Sequence, residues 1–114
     1  MDIFYSEPEK GNLEYKLHLR NFDYNKFQRY STQLKYRVLE GEGEALYIIG
    51  IQDDGTIVGL DDNEIQKTIN KFNHICNNVL CEIKIIIKSE FKKKKFLIIK
   101  VISNFDLDEL PFII

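Results

Sequence analysis

Apolar and polar positions change their period several times along the chain, and each change marks an element. Leu13, Tyr15, Leu17 and Leu19 alternate with Glu14, Lys16 and His18, the period of a half-buried strand. From Tyr24 to Glu40 the step lengthens. Phe27, Tyr30, Leu34 and Val38 mark one helical face, with Asp23 as the N-cap and Gly41 and Gly43 as the stop. Ala45–Gly50 is short, apolar and rich in β-branched residues, which predicts a buried strand. Asp53-Asp54-Gly55 predicts a tight turn into a return strand over Thr56–Val58, ended by Gly59. Asp61-Asp62-Asn63-Glu64 then opens a second helix as a capping box. Ile65, Ile69, Phe72, Cys76 and Val79 line its apolar face, with the end placed near Asn77. Alternation resumes at Ile83, Ile85 and Ile87 and again over Phe96–Ile102, so the two segments predict a hairpin with Lys92–Lys95 at its turn.

The expected fold is therefore α+β, in the order β-α-β-β-α-β-β, with two amphipathic helices packed on one mainly antiparallel sheet. Residues 1–10 read as a flexible lead-in, 11–103 as one domain, and 104–114 as a tail or a junction to a following domain. The apolar end Leu110-Pro111-Phe112-Ile113-Ile114 fits the start of such a domain.

Composition narrows the function. The 114 residues carry 16 Lys and Arg against 18 Asp and Glu, a net charge of −2. Any nucleic-acid binding must then come from local patches. No apolar run approaches the roughly 20 residues of a membrane helix, and the first residues lack the pattern of a secretory signal. A cytoplasmic location and no membrane partner are expected. The two cysteines, Cys76 and Cys81, read as structural thiols.

Two stretches carry a resemblance. Gly11-Asn12-Leu13-Glu14-Tyr15-Lys16-Leu17 is one. The other holds Thr32-Gln33-Leu34-Lys35-Tyr36-Arg37, Glu40-Gly41-Glu42-Gly43-Glu44-Ala45, Tyr47, Ile49-Gly50, Asp53, Gly55 and Val58-Gly59-Leu60. Over about Gly11 to Asn77 the chain resembles the N-terminal domain of the translational GTPases called GTP-binding protein 1 and 2. The resemblance implies an accessory module that works around RNA and ribosomes. GTP would be a ligand only of a following GTPase domain, because no Gly-x4-Gly-Lys-Ser/Thr phosphate loop occurs here. A looser outline, Glu9 and Glu14-Tyr15-Lys16 followed by Gly50-Ile51-Gln52-Asp53-Asp54-Gly55-Thr56-Ile57-Val58-Gly59, is similar to the AlbA-type domain of Schlafen proteins. The chain departs from that pattern in having Glu40-Gly41-Glu42-Gly43-Glu44 where an Asn-Thr-x-Gly-Gly segment is usual.

Three functional readings follow. The first is an RNA- or ribosome-binding module using a basic helical stripe (Lys26, Arg29, Gln33, Arg37) and the hairpin tip (Lys92, Lys93, Lys94, Lys95), with Tyr30 or Tyr36 for stacking. A plain solvated face and edge-protecting lysines account for the same residues. No cofactor is expected under this reading. The second, implied by the Schlafen outline, is a metal-dependent endoribonuclease. Glu9, Glu14 and Asp53 would hold Mg or Mn, and Lys16 would steady the phosphate. Surface and turn roles account for those residues better, because a metal site needs rigidly placed ligands. The third is a protein-docking scaffold with an apolar patch around Phe105–Ile114. His18 and His74 read as surface residues.

Overall fold

Local signals place the two helices where the periodicity puts them. In the computed structural model, which describes residues 4–105, the elements are β1 (Leu13–Lys16), α1 (Tyr24–Glu40), β2 (Glu44–Ile49), α2 (Asp62–Asn78), β3 (Cys81–Phe91) and β4 (Lys94–Ser103). Helix α1 starts because the Asp23 carboxylate accepts a hydrogen bond from Lys26 N at 2.8 Å. It ends where Gly41 N donates back to Arg37 O. Helix α2 opens with the Glu64 carboxylate accepting from Asp61 N at 2.8 Å. Arg20 forks onto the same Glu64 and ties the loop before α1 to the start of α2.

The sheet order is β1-β2-β4-β3. β1 runs parallel to β2, and the two other pairings are antiparallel. The fold is α+β, with both helices on one face of the sheet. Between helices and sheet lies the main core, with Leu34 and Val38 of α1, Phe72, Ile75 and Cys76 of α2, and Ala45, Tyr47, Ile49, Leu97, Ile99 and Val101 of β2 and β4. Both cysteines are buried thiols, pushed up to about 12 (Cys76) and about 11 (Cys81) chiefly by loss of solvent.

The expected pattern changes in four places. The return segment after the Asp53-Asp54-Gly55 turn forms a single bridge, Ile51 to Ile57, instead of a strand. β1 stops at Lys16. Leu17 is exposed, while Leu19 still enters the main core from the loop. The strands of the β3–β4 hairpin run further than expected and leave only Lys92-Lys93 in the turn. The fourth change concerns the strand face. Leu13 and Tyr15 pair with Leu46 and Ile48, so they point away from the helices, whereas Glu14 and Lys16 point toward them. The alternation of β1 is real, but its apolar side belongs to a second cluster of Tyr15, Ile48, Ile51, Ile57 and Phe96.

That second cluster is covered by residues 4–10, the segment expected to be a flexible lead-in. Phe4 lies edge-on to Phe96 at 5.8 Å, and Tyr15 Oη donates to Tyr5 O at 2.8 Å. The strap passes so close to the turn at Gly55 (φ +94°) that a Cβ there would sit 2.2 Å from Phe4 O. Only glycine fits this crossing. Asn104 N bonds to Leu80 O and Phe105 packs on the main core, while the rest of the expected tail lies outside the described residues.

Tyr47 sits fully inside the main core against Phe72, and its hydroxyl has no hydrogen-bond partner among the described residues. A buried hydroxyl without a partner carries its full desolvation penalty. Tyr47→Phe is expected to raise the unfolding free energy by about 1 kcal/mol, read from urea melts.

Candidate functional site

The basic stripe on α1 is geometrically real, because 26, 29, 33 and 37 share one helical face. Its two halves meet different surroundings. β1 and the strap pack against the C-terminal half and leave the N-terminal half open. Arg37, assigned above to a nucleic-acid contact, is 4% exposed. Its Nε donates to Glu14 Oε1 at 2.8 Å, its Nη1 to Gly11 O at 2.9 Å and its Nη2 to Pro8 O at 3.0 Å. The guanidinium is thus consumed inside the fold and is not available to phosphate. Gln33 is also turned inward, with its carbonyl buried. Arg29 remains exposed and lies over the Tyr30 ring at 5.5 Å, while Lys26 is half-buried with its Nζ donating to Arg20 O at 3.4 Å.

Around the start of α1 the structure gathers aromatic rings into a recess that the sequence reading missed. Phe22 meets Phe27 edge-on at 5.9 Å and stacks on Tyr30 at 6.4 Å. Phe27 stacks on His74 at 4.7 Å. Phe22, Asp23, Tyr24, Phe27 and His74 line an open recess of 390 Å³, and Tyr24 at its rim is 72% exposed. The Phe22-Asp23-Tyr24 run around the cap was a legible signal. His74 was not, because only the packing of α2 against α1 brings it there. Of the two stacking candidates, Tyr30 is half-buried under Lys16, and Tyr36 is exposed with its hydroxyl donating to Glu40.

The four hairpin lysines also divide. Lys95 pairs with Asp62 at 2.6 Å, and Lys94 Nζ reaches Ile57 O at 3.4 Å. Lys92 and Lys93 form the tip, both exposed and both at positive φ, 50° and 68°. The turn is of the sort that Asn-Gly fills without strain, and each lysine there costs about 1 kcal/mol of backbone energy.

The proposed metal ligands do not assemble. Glu9 is exposed on the strap, Asp53 is exposed in its turn, and Glu14 is 3% exposed between Arg37 and Lys16 (Nζ at 3.5 Å). Lys16 is held there, 4.3 Å from the centre of the Tyr30 ring, and does not project into solvent as a free cation. Among the described residues no three His, Cys, Asp or Glu side chains gather as a metal-holding group. The carboxylate beside Glu14 is Glu7, which no sequence pattern had singled out. Glu7 accepts from Tyr15 N, and its own N–H donates to Asp53 O at 2.7 Å. Burial pushes Glu7 up to about 7 against the pull of the Tyr15 hydrogen bond, with help from Glu14 and Asp53.

Two predictions follow from this arrangement. Arg37→Met leaves the Glu14 carboxylate buried with only the longer contact to Lys16, so chemical denaturation should show a loss of about 3 kcal/mol. The double change Glu14→Leu with Arg37→Met should recover most of it. Glu7 holds its proton more tightly folded (about 7) than unfolded (4.5). Its contribution to stability is therefore complete below the lower value and is lost as pH rises through the upper one. Glu7→Gln should flatten that window in urea melts and be the more stable form above it.

Comparison with known proteins places this geometry in context. No protein-family profile matches the chain, and no solved structure matches it. GTP-binding protein 2 from Homo sapiens and from Mus musculus is each 38% identical over 84 residues, covering 74% of this chain. An uncharacterised protein, R625, of Acanthamoeba polyphaga mimivirus is 37% identical over 75 residues, covering 65% of this chain and 40% of that protein. The chain spans 14% of the length of either GTP-binding protein 2. Most of the chain is thus a GTP-binding protein 1/2-like region.

Proposed function

We propose that this region is an accessory RNA- or ribosome-binding module of a cytoplasmic, GTP-binding protein 1/2-like translation factor, with nucleotide chemistry left to a following GTPase domain. The observation that carries the reading is the open aromatic recess of Phe22, Tyr24, Phe27 and His74, at the start of a helix that also carries Lys26 and Arg29. An aromatic platform flanked by cations suits single-stranded RNA, whose bases stack while lysine and arginine neutralise phosphates. Tyr24 offers the most exposed ring, and Phe27 with His74 forms the floor. The strained Lys92-Lys93 tip supports the same reading, since charge stands there at a cost to the backbone. Arg37 and Lys95 have no part in it. The endoribonuclease reading is not favoured, because Glu14 and Lys16 are engaged with Arg37 and Tyr30 and Glu9 stands apart from them.

Fluorescence anisotropy with a labelled single-stranded RNA, repeated over a salt series, tests the reading, and pelleting with ribosomes tests the larger partner. Lys26→Ala with Arg29→Ala should flatten the log–log salt dependence by about 1.4, and Tyr24→Ala should weaken binding about tenfold. Replacing Lys92-Lys93 by Asn-Gly should stabilise the fold while weakening RNA binding. Absence of RNA and ribosome affinity at low salt, or salt slopes that ignore Lys26 and Arg29, would sink the reading.

A further inference from the structure

Strand β3 is an edge of the sheet, 11 residues long, and it carries three consecutive isoleucines. Ile85, Ile86 and Ile87 are 47%, 37% and 49% exposed, although β4 pairs with the strand along its whole inner side. Ile85 and Ile87 lie on the face away from the helices, in register with Lys100 and Ile98, and Ile86 lies on the helix side, in register with Ile99. An edge that is long and apolar on both faces is a template for another strand. At the far edge of the sheet β1 has only 4 residues, too few to template a long strand.

We infer that β3 pairs antiparallel with β3 of a second copy of this chain, joining two four-stranded sheets into one of eight. Charge and face select the register. A twofold axis at Ile86 would set Lys84 against Lys88 and Glu82 against Glu90. An axis at Lys88 would set two lysines on each other. An axis at Ile85 would oppose Ile87 to Ile83, which the bulge between Ile83 and Ile85 has turned to the other face. An axis at Ile87 avoids all three conflicts. It sets Ile87 on the second copy's Ile87, Ile85 on its Ser89, Ile86 on its Lys88, and Lys84 on its Glu90.

The last pair occurs twice by symmetry and is complementary. Lys84 and Glu90 are both exposed, and neither takes part in an ion pair among the described residues. Ile86 would meet the stem of Lys88, which can cover apolar surface while its ammonium stays in water. On the outer face Ile48, Ile98 and Ile87 already form one cross-strand row. The twofold axis doubles that row without a break, and aliphatic cross-strand neighbours of this kind are the stabilising unit of a sheet. The Lys84 bulge, which would blunt the edge toward an arbitrary strand, is tolerated in this register because it falls at each end of the seam, where Lys84 meets Glu90 by side chain beyond the backbone ladder Ile85–Ser89.

Sedimentation velocity on the 114-residue chain, from about 5 µM to about 500 µM, is the test. A concentration-dependent dimer is expected. Ile87→Lys should make the chain monomeric throughout. Lys84→Glu sets two like-charged pairs across the seam and should weaken the dimer roughly tenfold. Adding Glu90→Lys to Lys84→Glu should restore it, a rescue that a general loss of folding would not give, and circular dichroism melts confirm the fold of each variant. A wild-type chain that stays monomeric overturns the proposal, and so does a dimer that persists in Ile87→Lys. Failure of the charge exchange to rescue overturns the register and with it the proposal. Because no RNA enters the measurement, its outcome is separate from that of the RNA-binding reading.

Discussion

The rest of the structure depends on a buried ion pair. Glu14 and Arg37 meet under α1, and the guanidinium spends its remaining donors on the carbonyls of Gly11 and Pro8. One side chain therefore connects the helix, the edge strand and the strap. A pair removed from water gains little over a well-packed apolar replacement, but either charge left alone is costly. The arrangement accordingly fixes geometry more than it adds stability. It turns the polar side of β1 toward the helices, which forces Leu13 and Tyr15 onto the opposite face. That face then needs a cover, and Phe4 supplies part of it against Tyr15 and Phe96.

Much of the fold was legible because helix and strand periods report local geometry directly. Asp23, the Asp61–Glu64 cap and the alternation through Phe96–Ile102 each mark what the structure contains, whereas the bulge at Lys84 puts Ile83 on the opposite face from Ile85 and Ile87. What alternation does not encode is which side of a strand is covered, since either face of a sheet can be dry. Tyr15 shows this: its apolar character was evident, but the partner that dries it comes from the strap. Arg37 shows the complementary limit. Nothing local separates it from Arg29 about two turns earlier on the helix, and only the passage of β1 and the strap beneath the end of the helix assigns one to the interior and the other to solvent.

The candidate site was half legible for the same reason. Lys26, Arg29, Lys92 and Lys93 could be found because exposed charge is visible as composition. The aromatic recess needs Phe27 of one helix and His74 of the other, and such long-range meetings leave no spacing rule to read. Glu7 was invisible as well. A glutamate in an irregular segment carries no pattern until the strap lays it beside Glu14 and Asp53. The resemblance to GTP-binding protein 2 spans most of the chain and does not by itself say which surfaces are used. The split of the basic residues into engaged and free sets makes that distinction.

The two kinds of strand pairing differ in how much chain entropy they confine. The β3–β4 hairpin closes across Lys92-Lys93, whereas pairing Leu13 with Leu46 must first bring together positions on either side of the whole of α1. The longer closure costs about 2 kcal/mol more, and only four residues of β1 share it. The parallel edge thus has far less ladder per unit of closed loop than the hairpin. Its retention falls to Arg37, the Glu7 carboxyl and the aromatic contacts of Phe4. Arg37 is thus the common fastening of the strap and β1, so that neither can leave α1 without releasing the other.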